Sequence, residues 1–241
     1  MTEFAPEVIA HIGSFPITNT ILNTLAVDAL IISGVYYLNK NFKKIPGMFQ
    51  NTMEMAVETL YNFNEQISGE HAKKIFPFFM TFLIFILLTN WTGLIPGHGS
   101  FGLKEKGHLV PIFRNGTSDL NVTIALSLVS LIATHYLSLT TLGIKEYFSR
   151  YFSLNPIYLF VGILEIVSEI TKGISLSFRL FGNIFAGEVL LATIGALAPL
   201  LAPIPFIALE LIAGFVQALV FSMLTMIFMT MLMTSHSEGS H

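Results

Sequence analysis

Arg179 sits in the run Ser175-Leu-Ser-Phe-Arg179-Leu-Phe-Gly-Asn183, inside an apolar stretch from about Pro156 to about Leu200. A guanidinium does not lose its proton, so burial cannot neutralise it. Holding it at mid-bilayer costs roughly 2.5–3.5 kcal/mol on insertion scales. A residue that costly reads first as part of an ion pathway or an ion pair. More polar groups surround it: Glu165, Glu169, Lys172, Ser175, Asn183 and Glu188 in the same stretch, and Glu210 and Gln217 in the final one. At about 100° per residue, Lys172, Ser175, Arg179, Asn183 and Ala186 share one stripe of a helix, with Glu188 about half a turn away from Arg179. Glu210, Gly214 and Gln217 share a stripe on the last segment. These groups suit proton transfer. A carboxyl in low dielectric resists ionisation and can load and release protons near neutral pH. A permanent cation between two aqueous half-pathways repels hydronium and favours a deprotonated carboxylate passing nearby. The competing reading is a structural ion pair of Arg179 with Glu188 or Glu210. For Glu169 and Lys172, an i,i+3 pair near the cytoplasmic surface is the preferred reading. Gly182, Gly187 and Gly214 read as packing residues that let helices approach.

The elements that must position these groups are membrane spans. The 241 residues are 53% hydrophobic and 11% charged, with mean hydropathy +0.71; a soluble domain carries about 25% charged residues. The apolar residues fall in blocks of about 18 or more, enough to cross a bilayer. A net charge of −3 argues against nucleic-acid binding. The chain has no Cys, which excludes disulfides and thiol chemistry. No basic n-region precedes an apolar core near Met1, so no secretory signal is expected. His98 and His108 have no nearby ligand cluster, so neither a metal site nor a cofactor is expected. His135 reads as a hydrogen-bonded structural histidine. No Gly-rich phosphate loop or nucleophile triad is present, so no catalytic chemistry of its own is expected.

The fold class read from these blocks is an all-α membrane protein with five transmembrane helices and one interfacial amphipathic helix. The last two helices are expected to form a long, strongly tilted hairpin. Residues 1–20 read as an external N-terminal tail. Residues 21–95 hold the first span (about Ile21 to Leu38), the interfacial helix (Pro46 to about Ile67) and the second span (about Phe76 to Ile95). Residues 96–118 form an external loop. Residues 119–155 hold the next span (about Leu120 to Leu142) and a short cytoplasmic loop. Residues 156–241 hold the hairpin, from about Pro156 to Ala198 and Pro203 to Met233, and a cytoplasmic tail. No β-strand signal competes, since no segment of about ten residues alternates as in a barrel. About 43 residues at 1.5 Å each make a helix near 64 Å against about 30 Å of hydrocarbon, which requires steep tilt or a break. Lys40, Lys43, Lys44, Lys73, Lys74, Lys145 and Arg150 fall on one side by alternation, and Lys104, Lys106 and Arg114 on the other. The positive-inside rule then puts the N-terminus outside and the C-terminus in the cytoplasm.

The segment from Ser175 to Glu188 resembles the signature helix of subunit a of F-type ATP synthases. Asn90-Trp-Thr-Gly-Leu-Ile-Pro96-Gly, Asp119-Leu-Asn121-Val-Thr, and Glu210 with Gln217 seven residues later resemble the same family in the same order. The resemblance implies that Arg179 faces the carboxylates of a rotating c-ring and prevents short-circuit between half-channels, with Gln217 close by. It implies that Asn183, Glu188, Glu210 and Asp119 line the outward half-channel, and that Glu165, with Ser175, lies toward the cytoplasmic one. Some members carry His where this chain has Glu210, so Glu188 and Glu210 are expected to titrate as a coupled pair. Many members carry Pro where this chain has Gly173. The implied partners are the c-ring, the subunit b peripheral stalk, the rest of the F1F0 complex and the lipid bilayer. The implied setting is a bacterial plasma membrane, ahead of a thylakoid. A secondary ion-coupled transporter is the alternative; such folds often contain repeated halves, and none is evident here.

Overall fold

The computed structural model describes residues 8–12, 15–94, 102–105, 108–111, 114–151, 156–197 and 202–234. The readings placed on Pro96-Gly97, on the turn between the last two helices and on the polar tail after Thr234 lie outside the described residues. Among those described, the chain is mainly helical: α1 (Asn19–Lys40), α2 (Met48–Ser68), α3 (Ala72–Thr92), α4 (Leu120–Leu142), α5 (Ile144–Tyr151), α6 (Pro156–Leu197) and α7 (Pro203–Met233). Five helical stretches are long and apolar enough to cross a membrane. They are α1, the continuous run through α2 and α3, α4, most of α6, and α7.

Two expectations are corrected. The reading of no strands fails, because two short antiparallel pairs form. β1 (Val8–Ile12) pairs with β2 (Phe15–Thr18), and β3 (Gly102–Glu105) with β4 (His108–Pro111). Strands of four or five residues are too short for the barrel-type alternation used to exclude them, and Val8, Ile9, Ile12, Ile17 and Thr18 are β-branched. The short loop expected after α4 is instead the helix α5. Ile144, Tyr147, Phe148 and Tyr151 recur at helical spacing, with Lys145, Glu146, Ser149 and Arg150 between them. Gly143 separates α4 from α5 at φ 83, a backbone region that only glycine adopts without strain.

The chain divides into two compact units. The first comprises Met1–Phe42, Leu83–Thr123 and Phe178–Leu219. Its interior is unusually polar. Beside Val27, Leu83, Ile86, Leu180 and Ile184 it buries Asn19, Asn23, Asn90, Arg114, Thr117, Asp119, Glu210 and Gln217. In lipid such groups must find partners inside the protein. Asn90 is 2% exposed; its Nδ2 donates to the Gly214 carbonyl at 3.0 Å and its Oδ1 accepts from the Thr117 hydroxyl at 2.6 Å. The Asn90 bonds tie α3, the 114–119 segment and α7 together. Asn90→Ala therefore removes both of these links, although the Thr117 hydroxyl keeps Asn115 Oδ1 at 2.8 Å. It should lower the stability of the assembled protein by about 1–2 kcal/mol, read as an earlier midpoint in detergent denaturation.

The second unit comprises Lys43–Phe82, Ile124–Ser177 and Val220–His241. Its core is conventional: Ile75, Phe79, Phe82, Leu137, Leu176, Phe221, Met226 and Met229. Buried small polar residues of α4 bring α7 close, as in other membrane bundles. Ser130 Oγ lies 2.9 Å from Thr225 Oγ1, and Ser138 donates to the Leu232 carbonyl at 2.7 Å. The opposite face of α4 exposes Leu128, Val129, Ile132 and Tyr136, as a lipid-facing surface would. In α2 the apolar Met48, Phe49, Met53, Met55 and Val57 are exposed, consistent with the amphipathic helix expected there. Asn64 closes the α2–α3 corner, donating to the Ala72 carbonyl at 3.0 Å and accepting from Ser68 at 2.9 Å.

α6 is one continuous helix of 42 residues, so the long apolar segment contains no break. Gly173 lies within it. A Cβ at Gly173 would meet Leu131 Cδ1 at 2.5 Å, so α4 packs tightly on this glycine.

Candidate functional site

Among the described residues the expected stripe is exposed at four of its five positions, while Lys172 is partly buried in its pair with Glu169. Ser175, Arg179, Asn183 and Ala186 are all exposed, while Leu176, Leu180 and Ile184 on the other side of α6 are buried. An exposed arginine on a helix that also exposes Ile174 and Phe178, as a lipid-facing surface would, is a costly arrangement in a membrane. Arg179 and Asn183 line a cavity of about 760 Å³ with Pro205, Ala208, Leu209, Ile212, Ala213, Val216 and Gln217 of α7. Apart from Gln217, the α7 residues are small or apolar, so the polarity comes from Arg179, Asn183 and Gln217. Gln217 is 7% exposed and its Nε2 has no hydrogen-bond partner among the described residues. Gly182, read above as a packing residue, has nothing within 4 Å of a Cβ. It belongs to the open face instead.

Glu188 and Glu210 lie apart from that face. Glu210 is buried at 7% exposure, and its carboxyl packs directly on Gly187, in the space a Cβ would occupy. Gly187 thus does permit close approach, as does Gly214 beneath Asn90. The Glu210 carboxyl therefore lies against the residue next to Glu188 on α6. Glu188 also forms an ion pair that sequence reasoning missed: Arg114 Nε lies 3.7 Å from its Oε1, with Arg114 only 8% exposed. The available sequence clue was that Arg114 stands five positions before Asp119 in a short, otherwise uncharged run.

Asp119 is not brought to Glu188 by any described contact. It caps α4: its Oδ1 accepts from Asn121 N at 2.9 Å and Nδ2 at 3.1 Å, and its Oδ2 from the Thr20 hydroxyl at 3.1 Å. Asn115, in a glycosylation-like Asn-Gly-Thr, is 9% exposed, and its Oδ1 accepts from Thr117 N at 3.2 Å.

The remaining candidates belong to the second unit. Glu165 pairs with Arg150, whose Nη1 also reaches the Met231 and Leu232 carbonyls at the end of α7. Glu169 and Lys172 form the expected i,i+3 pair at 2.7 Å, with Glu169 6% exposed. Lys172 also lies over the Phe228 ring at 5.0 Å. Burial pushes the Tyr151 phenol upward, aided by Tyr147 and by the charges of Glu169 and Glu165, so it stays neutral. His135 Nδ1 lies 2.9 Å from the Tyr147 hydroxyl, the structural role expected for it. Among the described residues no group of three metal-ligating side chains converges.

A family model for the ATP synthase A chain matches residues 20–230. The chain belongs to the ATP synthase A chain family. A similar relative is ATP synthase subunit a of Moorella thermoacetica, 30% identical over 236 residues that cover 98% of this chain and all of that protein. The A chain family match runs from α1 into α7, and so takes in every candidate site residue named above.

Proposed function

We propose that this chain is the stator subunit of a rotary proton path, forming two offset half-channels beside a ring of carboxylate-bearing subunits. Protons enter from outside past Glu188, Glu210 and Asn183, with Asp119 anchoring the entrance. They neutralise a ring carboxylate, travel with the ring and leave toward the cytoplasm past Glu165 and Ser175. Arg179 keeps the half-channels from short-circuiting, and Gln217 lies beside it on α7. The flow drives ATP synthesis elsewhere in the complex; this chain contributes no catalytic group. The observation that carries the reading is the exposed polar stripe. A permanent cation within an apolar helix, on a face that is exposed among the described residues and borders the α7 cavity, supports an external partner carrying the opposite charge.

α6 and α7 are read as a steeply tilted hairpin presenting this face to the ring. Forty-two residues exceed the bilayer unless the helix leans far from the normal, well beyond the usual tilt of about 20°. The domain divisions, the outside N-terminus and the placement in a bacterial plasma membrane belong to the same reading, as do contacts to a subunit b stalk. The test is reconstitution. The purified chain alone should carry no gradient-driven ion flux in vesicles, whereas the intact complex should pump protons and show a helical ring against α6 and α7. Coupled transport by the isolated chain would favour a secondary transporter instead.

A further inference from the structure

Arg114 is a buried cation that the channel reading does not use. Its position is rigidly set. The turn it leads into is held by the Ser118 hydroxyl and amide on the Asn115 carbonyl, at 2.9 and 3.3 Å, and by Asp119 N on the Gly116 carbonyl at 3.2 Å. Thr117 bonds it to Asn90 of α3, and Asp119 to Thr20 of α1. A Cβ on Gly116 would press on Thr24 at 3.0 Å and Thr89 at 3.1 Å, and one on Gly93 would meet Asn115 at 2.7 Å. The backbone of this turn therefore packs closely against α1 and α3. The guanidinium is thereby presented to Glu188 at 3.7 Å.

Glu188 and Glu210 together offer four carboxylate oxygens, the ligand type that hard metal cations take. A proton needs one oxygen, whereas a metal ion needs several and a net negative site. A guanidinium cannot be neutralised, so beside one carboxylate it repels a metal ion permanently while leaving an oxygen of the neighbouring carboxyl for a proton. We propose that Arg114 is a positioning residue that fixes Glu188 and makes the Glu188–Glu210 pair exchange protons in preference to metal cations. This rests on the channel reading above and extends it to ion choice.

The experiment uses the assembled complex in proteoliposomes, with ATP-driven proton pumping followed in sodium-free buffer and at rising sodium. Arg114→Gln should lower pumping roughly tenfold, as misplacement of one reacting group does, and the residue of activity should become sodium-sensitive. Arg114→Lys keeps the charge and should recover most of the rate and all of the sodium resistance. Glu188→Gln combined with Arg114→Gln should pump no worse than Glu188→Gln alone, since interacting partners are not additive; this pair also covers misfolding of the single variant. Additive losses in the double variant, or sodium resistance retained in Arg114→Gln, would overturn the proposal. A failure of Arg179 variants to affect pumping would instead remove the channel reading beneath it.

Discussion

Arg179→Ala reduces ATP-driven proton pumping to background and raises the passive proton conductance of the assembled membrane sector, while ATP hydrolysis by the soluble part persists. The guanidinium is the one permanent cation on the exposed stripe between Ser175 and Ala186, and nothing described on that face replaces it. Without it, a hydronium or a ring carboxylate meets no repulsive barrier between the two half-channels. Arg179→Lys should fall between wild type and alanine, because an ammonium keeps the charge but not the planar fork of donors. Dye quenching in inverted vesicles measures pumping, and inhibitor-sensitive hydrolysis verifies assembly. Normal coupled pumping in the alanine variant would remove the basis for the proposed role.

Gly187→Ala is expected to lower pumping by at least about tenfold, equivalent to about 1.4 kcal/mol in the rate-limiting barrier. The added methyl would occupy the space now filled by the Glu210 carboxyl. α6 gains helix propensity from the change, so a loss cannot come from a weaker helix. Glu210 must swing away from its seat beside Glu188, and a misplaced proton carrier is slow. Shortening that side chain withdraws the carboxyl, so Gly187→Ala with Glu210→Asp should recover part of the rate. Gly195→Ala, in the same helix with nothing within 4 Å of its Cβ, should pump normally. Equal behaviour of the 187 and 195 variants would mean that the Glu210 seat is unimportant.

Much of the architecture was legible because membrane spans are read from local sums. Apolar length, helical spacing and a costly cation need only neighbouring residues, so α4 and α7 match their expected limits and α6 follows its expected run to Leu197, the last described residue there. The strands and α5 were missed for the same reason. Their segments are too short for a composition signal, and hydrogen bonding across a turn or burial of Tyr151 decides them. Asp119 shows the converse. Its motif was conspicuous, yet its described contacts are those of a helix cap and an anchor to Thr20.

By itself, the sequence determined that this chain spans a membrane with helices and that Arg179, Asn183 and Ala186 share a face, since the 3.6-residue period is a property of any helix. It also placed the chain in its family through four ordered motifs. Only the tertiary structure decided that this face is exposed, that Glu210 rests on Gly187, and that Glu188 is paired by Arg114 from 74 residues away. Each of these depends on which surfaces meet when distant helices pack, and distance along the chain carries no record of that.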